Sequence, residues 1–216
     1  MISTSPRDLL WWVRLYRLGF GLLVVAAIVQ QLIENPGRIA NFFSFFTIQS
    51  NIIGAFVLLL GAAGFAPRTR AWDYVRGGAM MFLMLTGVIY NTILASLTAD
   101  LHTTVPWVND VLHKIIPVVM VVDFLIVPLA HRIEFRTALW WTVYPVAYAA
   151  YSLIRGPIVD WYPYPFLDPR DSGYGRVTVN MIVIAIGFVA VVWLVVAANN
   201  WLQSRQIQQR ISTGTS

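Results

Sequence analysis

The sequence predicts an all-α, polytopic membrane protein: a bundle of six transmembrane helices that forms one domain over residues 1–216. Hydrophobic residues make up 58% of the chain and charged residues only 12%, whereas soluble domains carry about 25% charged residues. The mean hydropathy is +0.66. Six apolar stretches approach the roughly 20 residues that a spanning helix needs. Together they occupy most of the chain, which leaves no room for a separate soluble domain.

The six stretches are predicted to be helices because lipid-exposed backbone must satisfy its own hydrogen bonds, and they are too long and continuous for barrel strands. They cover about residues 14–33, 42–64, 72–97, 108–129, 137–155 and 177–201, followed by a polar tail at 203–216. Within the first stretch, the apolar run from Leu18 to Val29 follows Arg7, Arg14 and Arg17, as the apolar part of a signal peptide would. No small-x-small cleavage signal comes after it, so we expect a retained helix.

The basic residues predict the orientation of the six spans. The side that receives both termini and the 65–71 and 130–136 loops carries ten Lys and Arg residues, against five on the other side. The positive-inside rule therefore places both termini in the cytoplasm. These charges are dispersed over loop ends, which argues against nucleic-acid binding. The chain has no cysteine, which excludes disulfides, thiolate metal sites and a cysteine nucleophile.

Two predicted spans carry polar faces at the same depth. In the second, Ser44, Thr47 and Asn51 share a face and Ser50 lies beside it. In the fourth, a face is shared by Asp110, His113, Lys114 and Pro117. Thr47 and His113 each follow the outer end of a span by about five residues, which places both about 7–8 Å inside the hydrocarbon edge. We expect lipid to drive both faces inward, so that the hydroxyl and the imidazole converge.

Further polar residues reach this outer level: Tyr90, Asn91, Ser152, Arg155, Thr178 and Asn180. The inner half is expected to hold far fewer, chiefly Asp123. The sequence offers no clear partner for the second ring nitrogen of His113. Asp110 is spaced to pair with Lys114 at i+4, and Pro117 lacks the N–H that would bond the His113 carbonyl, which favours a bend.

A threonine hydroxyl with a histidine base is the core of acyl transfer. Oxyanion or substrate support would come from Asn51, Asn91, Asn180, Arg155, Lys114 or Ser50, which the sequence does not rank. The depth suits a lipid ester, whose carbonyls lie between head group and hydrocarbon. Alternatively, the same polar cluster joins helices through hydrogen bonds, and the chain is a non-enzymatic small transporter or lipid-binding sensor.

The spacing of the histidines and the absence of known motifs do not indicate a metal or cofactor site, so we expect neither a metal nor a cofactor. His113 and His131 are 18 residues apart on one predicted helix, about 27 Å, so they cannot share a haem. His102 falls in a predicted loop, and H-E-x-x-H and G-x-S-G motifs are absent.

The Pro- and aromatic-rich outer loop, 156–176, is expected to be too irregular for a helix. It is either an aromatic belt at the membrane surface or a lid over an outward-facing site, and the two are compatible.

Three stretches resemble the androgen-inducible membrane hydrolases, threonine hydrolases that cleave fatty acid esters of hydroxy fatty acids. They are Phe46-Thr47-Ile48-Gln49-Ser50-Asn51, Leu112-His113-Lys114 and Trp161-Tyr162-Pro163-Tyr164-Pro165-Phe166-Leu167. The similarity spans about residues 14–200 and implies a bacterial relative, in a cytoplasmic membrane, with Thr47 as nucleophile and His113 as base. Membrane lipids and a lipid ester are the implied partners, and the oligomeric state stays open. The Gln-Ser-Asn after Thr47 and the lysine after His113 depart from the animal enzymes, so the fold transfers more safely than the substrate.

Overall fold

The computed structural model describes residues 10–65, 67–95 and 105–214, with all their side chains except those of Arg38, Ser172 and 206–214. His102 lies outside these residues. The described chain is all α-helical in its regular structure, apart from short 3-10 and π-helical turns. The helices are α1 (Trp11–Glu34), α2 (Ile39–Phe42), α3 (Phe46–Ala62), α4 (Arg70–Ile89), α5 (Pro106–Asp110), α6 (Ile116–Ile126), α7 (Phe135–Ala138), α8 (Val143–Val159) and α9 (Pro169–Gly214).

Three helical segments are long and apolar enough to cross a membrane: Trp11–Glu34, Arg70–Leu94 and Gly173–Arg205. They indicate a multi-pass membrane protein. The other three predicted spans are also helical over most of their length, but α3 has only 17 residues and the remaining two are divided among shorter elements. The number of six spans stays a prediction.

Burial separates a central helix from peripheral ones. The apolar window of α4 is 67% buried, against 28% for the windows in α1 and α9. Residues such as Ile182, Ile186 and Trp193 point outward from α9, as expected of a helix whose surroundings are lipid. The side chains that α4 contributes are therefore positioned by neighbours on several sides.

The 156–176 connection is helical only at its ends: α8 extends to Val159, and α9 begins at Pro169 but is interrupted at Gly173, whose φ of 71° is not helical. Between them lies one 3-10 turn, Pro165–Leu167, so the predicted irregular loop is shorter than expected. Proline is favoured in the first turn of a helix, where its missing N–H costs nothing. The polar tail from residue 203 continues α9 to Gly214.

Two π-helical turns lie side by side where α4 and α6 approach closely. Tyr90–Leu94 continues α4, and Val111–Ile115 joins α5 to α6. A methyl group at Gly87 would come within 2.9 Å of Pro117, so glycine permits this approach. Isolated π-helical turns are frequent at functional sites, and these two hold His113 and its neighbours.

Candidate functional site

Thr47 is the second residue of α3 and is buried. Its backbone N–H donates to the hydroxyl of Tyr164 (3.2 Å), and its Oγ1 lies 3.3 Å from the same oxygen. The first N–H groups of a helix have no partner within the helix, so the tyrosine hydroxyl fills this role for α3. The motif around Tyr164 was recognised from the sequence, but its contact with Thr47 was not.

Asn51, one turn further along α3, joins this helix to the π-helical turn that carries His113. Its Nδ2 donates to the carbonyls of Thr47 (2.8 Å) and Leu112 (3.1 Å). In the π register, the donor for the Leu112 carbonyl would be the nitrogen of residue 117, which is proline and has no hydrogen. The amide of Asn51 thus supplies a hydrogen bond that the backbone of the other helix cannot make.

His113 is held by a carbonyl and by an aromatic ring. Its Nδ1 lies 3.0 Å from the Asn109 carbonyl, which can only accept, so Nδ1 carries the hydrogen. The ring stacks on Tyr90 with a centroid separation of 4.2 Å, and Asn109 Nδ2 donates to the Tyr90 hydroxyl. In neutral histidine this leaves the lone pair on Nε2, which has no hydrogen-bond partner among the described residues. The orienting partner that the sequence did not reveal is therefore the Asn109 carbonyl.

The expected convergence of Thr47 and His113 is not achieved by direct contact. Within the described part of the chain, no hydrogen bond joins them: Thr47 bonds to Tyr164, and His113 to Asn109. The helical faces were correctly expected to approach, since Asn51 links them. Depth and helical spacing do not determine which rotamer or which neighbour a side chain takes, and the pairing of Thr47 with His113 stays a prediction.

The other candidate support residues have separate partners, with the exception of Ser50, whose Oγ is buried without one among the described residues. Four bond away from Thr47: Asn91 to the Gly87 carbonyl of its own helix, Lys114 to Asp110 as expected, Arg155 to Asn41, and Asn180 to the Phe166 carbonyl. Asn51 alone among the six bonds to Thr47. Their roles in a reaction stay predictions.

A small, partly open apolar cleft of about 50 Å³ lies next to Tyr164. Its walls are apolar and aromatic side chains together with one threonine: Phe46, Thr86, Ile89, Leu94, Pro145, Tyr148, Ala149, Tyr164, Phe166, Leu167, Met181, Ile184 and Phe188. Thr47 does not line this cleft, although its neighbour Phe46 and its partner Tyr164 do. The ring of Tyr164 thus lines the cleft, and the hydroxyl of the same side chain bonds to Thr47.

A buried ionic network, which sequence reasoning missed, joins α1, α4 and α6. Arg17 Nε donates to Asp123 Oδ1 (2.5 Å), and Arg76 Nη2 donates to Asp123 Oδ2 (3.0 Å) and to the Val127 carbonyl (2.7 Å). All three ionic side chains are less than 10% exposed. The expectation that Asp123 stands nearly alone in its half of the bundle is wrong. The signal was present: Arg17 and Arg76 lie within apolar stretches, not beyond their ends.

Asp73 forms a second buried cluster with the turn after α6. Its carboxylate accepts from the backbone nitrogens of Ala130 and His131 (both 2.9 Å) and from His131 Nδ1 (2.7 Å). Neither cluster resembles a metal centre. Among the described residues, no group of three or more His, Asp or Glu side chains could hold a metal ion.

Comparison with known proteins gives no match: no family model, curated protein or solved structure matches this chain. The resemblance to the androgen-inducible hydrolases therefore stays a prediction from the three sequence stretches.

Proposed function

We propose that this chain is an intramembrane hydrolase that cleaves a lipid or fatty-acid ester, with Thr47 as nucleophile and His113 as base. The supporting observation is the orientation of His113, whose Nδ1–H is held by the Asn109 carbonyl and whose ring is held by Tyr90. A base whose second nitrogen is oriented by a third group is the arrangement that activates serine and threonine nucleophiles. Asn51 holds the helices of the two residues together.

In the proposed reaction, Thr47 Oγ1 attacks the ester carbonyl carbon and its proton passes to His113 Nε2. The bond to the leaving oxygen then breaks, and the imidazolium returns the proton to the departing alcohol. Water attacks the resulting acyl-threonine with His113 again as base, which releases the carboxylic acid and restores Thr47. The hydroxyl must first leave Tyr164, because proton transfer needs a separation from the base of about 2.6–3.2 Å or one bridging water.

The proposed setting follows from the sequence. Six spans with both termini in the cytoplasm of a bacterium would place Thr47, His113 and the cleft in the outer leaflet, where lipid ester carbonyls lie. The apolar walls of the cleft suit part of a hydrocarbon chain, and Tyr164 connects the cleft to Thr47. Membrane lipids are then the source of substrate, and no metal or cofactor takes part.

The test is hydrolysis of a panel of lipid esters by the purified protein, with fluorophosphonate labelling of the nucleophile. We expect Thr47→Ala and His113→Ala each to lower the rate by about a hundredfold or more, as the loss of a nucleophile or base does, while folding is preserved. Thr92→Ala is the matched control, because that hydroxyl bonds only to the Val88 carbonyl of its own helix. Labelling that persists in Thr47→Ala would reject Thr47 and direct attention to Ser44 or Ser50.

A second candidate function is lipid binding without catalysis. It is favoured by one observation: Thr47 and His113 bond to different neighbours, as structural polar groups between membrane helices do. Under this alternative the wild-type protein hydrolyses no ester in the panel, and mass spectrometry of the purified protein finds an intact lipid in stoichiometric amount.

A further inference from the structure

Tyr164 covers Thr47 on the side of the apolar cleft. Both hydrogen bonds that Thr47 makes with it, from its backbone nitrogen and from its hydroxyl, go to the same tyrosine oxygen. The tyrosine is itself only 8% exposed, and its ring lines the cleft while Thr47 does not. The ring of Tyr164, and not the threonine, is therefore the surface that a hydrocarbon chain in the cleft would contact.

The ring of Tyr164 is held mainly by other aromatic rings. It stacks on Phe166 with a centroid separation of 5.0 Å and an interplanar angle of 7°, and it makes an edge contact with Phe45 at 5.7 Å. Stacking of this kind contributes about 0.5–1.5 kcal/mol per pair. The hydroxyl of Tyr164 also interacts with the Phe46 backbone and the Tyr148 side chain.

The segment that carries Tyr164 is anchored on both sides of it. Arg170 donates to Asp160 (2.8 Å) and to Asp168 (2.6 Å), which lie on either side of the segment. The ring of Tyr162 packs so closely over Gly156 that a methyl group there would overlap it. The two ends of the segment are therefore tied to each other on either side of Tyr164.

We infer that Tyr164 is the positioning residue of the proposed hydrolase: its ring closes Thr47 off from the cleft, and it must swing aside before an ester reaches the hydroxyl. The inference rests on the proposed function, because a role in ester access presupposes a hydrolase. The experiment that tests it measures accessibility and does not require hydrolysis. The same movement frees Thr47 Oγ1 from the tyrosine oxygen, after which the threonine can turn toward His113.

The absence of cysteine from the chain allows a site-specific accessibility measurement. Thr47→Cys, in detergent-solubilised full-length protein, is alkylated with N-dodecylmaleimide, alone and combined with Tyr164→Ala or Tyr164→Phe. We expect Tyr164→Ala to raise the alkylation rate at least about tenfold, the effect of losing a hydrogen bond together with the ring that covers the site. Tyr164→Phe, which keeps the ring, should stay within about threefold of the parent rate.

Ala55→Cys is the control, because Ala55 is buried further along the same helix. Its alkylation rate should not change with Tyr164→Ala. Equal Thr47→Cys rates with and without the ring would overturn the inference, as would a similar rise at Ala55→Cys, which signals general loosening. Because the readout is alkylation and not hydrolysis, a failed ester panel would reject the proposed function and leave this result standing, and the reverse also holds.

Discussion

The region around Thr47 and the network around Asp123 differ in how their polar groups are paired. The Asp123 network consists of Arg17, Arg76 and Asp123, in which the carboxylate binds both guanidinium groups. In the Thr47 region, by contrast, Ser50 Oγ, Asn51 Oδ1 and Asn109 Oδ1 are buried without a hydrogen-bond partner among the described residues. Asp123 follows His113 by ten residues, about 15 Å along the helix.

The difference separates polar groups that fix the positions of helices from polar groups that are left without a partner. Ion pairs buried on three helices fix the relative positions of those helices, since a charge without its partner is costly in a membrane. Buried polar atoms without partners are uncommon, and each calls for an explanation such as a ligand, a water molecule or a catalytic role. The Asp123 network therefore joins helices by charge, whereas the Thr47 region leaves several buried polar atoms without a partner among the described residues. Tyr74 Oη, Ser152 Oγ and Asn199 Oδ1 are buried in the same way outside both regions, so a ligand at Thr47 stays a prediction.

Removing the carboxylate of the Asp123 network should produce the largest loss of stability. Asp123→Asn leaves the Arg17 and Arg76 guanidinium groups buried without their counter-charge, and we expect a loss of about 3–5 kcal/mol in the free energy of unfolding. Thermal unfolding in mild detergent measures it. Asp110→Asn is the control, because its ion pair with Lys114 is half exposed and such pairs contribute little. Equal thermal midpoints for the two variants would contradict the structural role of the network.

A smaller effect is expected where the Thr47 region also holds helices together. Asn51→Leu removes the hydrogen bonds to the Thr47 and Leu112 carbonyls and should cost about 1–3 kcal/mol. The same unfolding measurement compares it with Asn91→Leu, whose amide bonds only within its own helix and which should be nearly neutral. A loss for Asn51→Leu as large as that for Asp123→Asn would remove the distinction between the two regions.

The smallest loss of stability is expected from removing Arg170, which forms exposed ion pairs with Asp160 and Asp168. The Arg170 guanidinium, through its hydrogen bond, holds the pKa of the Asp168 carboxyl below its ordinary value of 3.8. Because the folded pKa is the lower one, the pair stabilises the fold above that value, and this contribution is lost as the pH falls through the folded pKa. We therefore expect Arg170→Gln to lower the thermal midpoint slightly at about pH 6, and the difference from wild type to shrink progressively as the pH falls below the ordinary value of 3.8. A difference that grows on acidification would show that the cause lies elsewhere.

The helical segments were accessible to sequence reasoning, whereas most of the side-chain partners were not. Apolar length located each helical segment, and i+4 spacing correctly paired Asp110 with Lys114, because both effects are local. Arg17 was assigned to a loop end as an orientation signal, yet it is buried against Asp123, more than a hundred residues away in the chain. The bond between Thr47 and Tyr164 is equally distant in sequence. Such contacts depend on how helices rotate against each other, which composition and spacing do not determine.

The meeting of Asn51 with the Leu112 carbonyl links two positions on different helices that share no sequence motif. Proline at 117 withholds one backbone hydrogen from its own helix, and the amide at 51 provides one from outside. In descendants of this chain, therefore, replacement of the proline by a residue with an N–H relaxes the requirement for an amide at 51. Substitutions at positions 51 and 117 should therefore occur together.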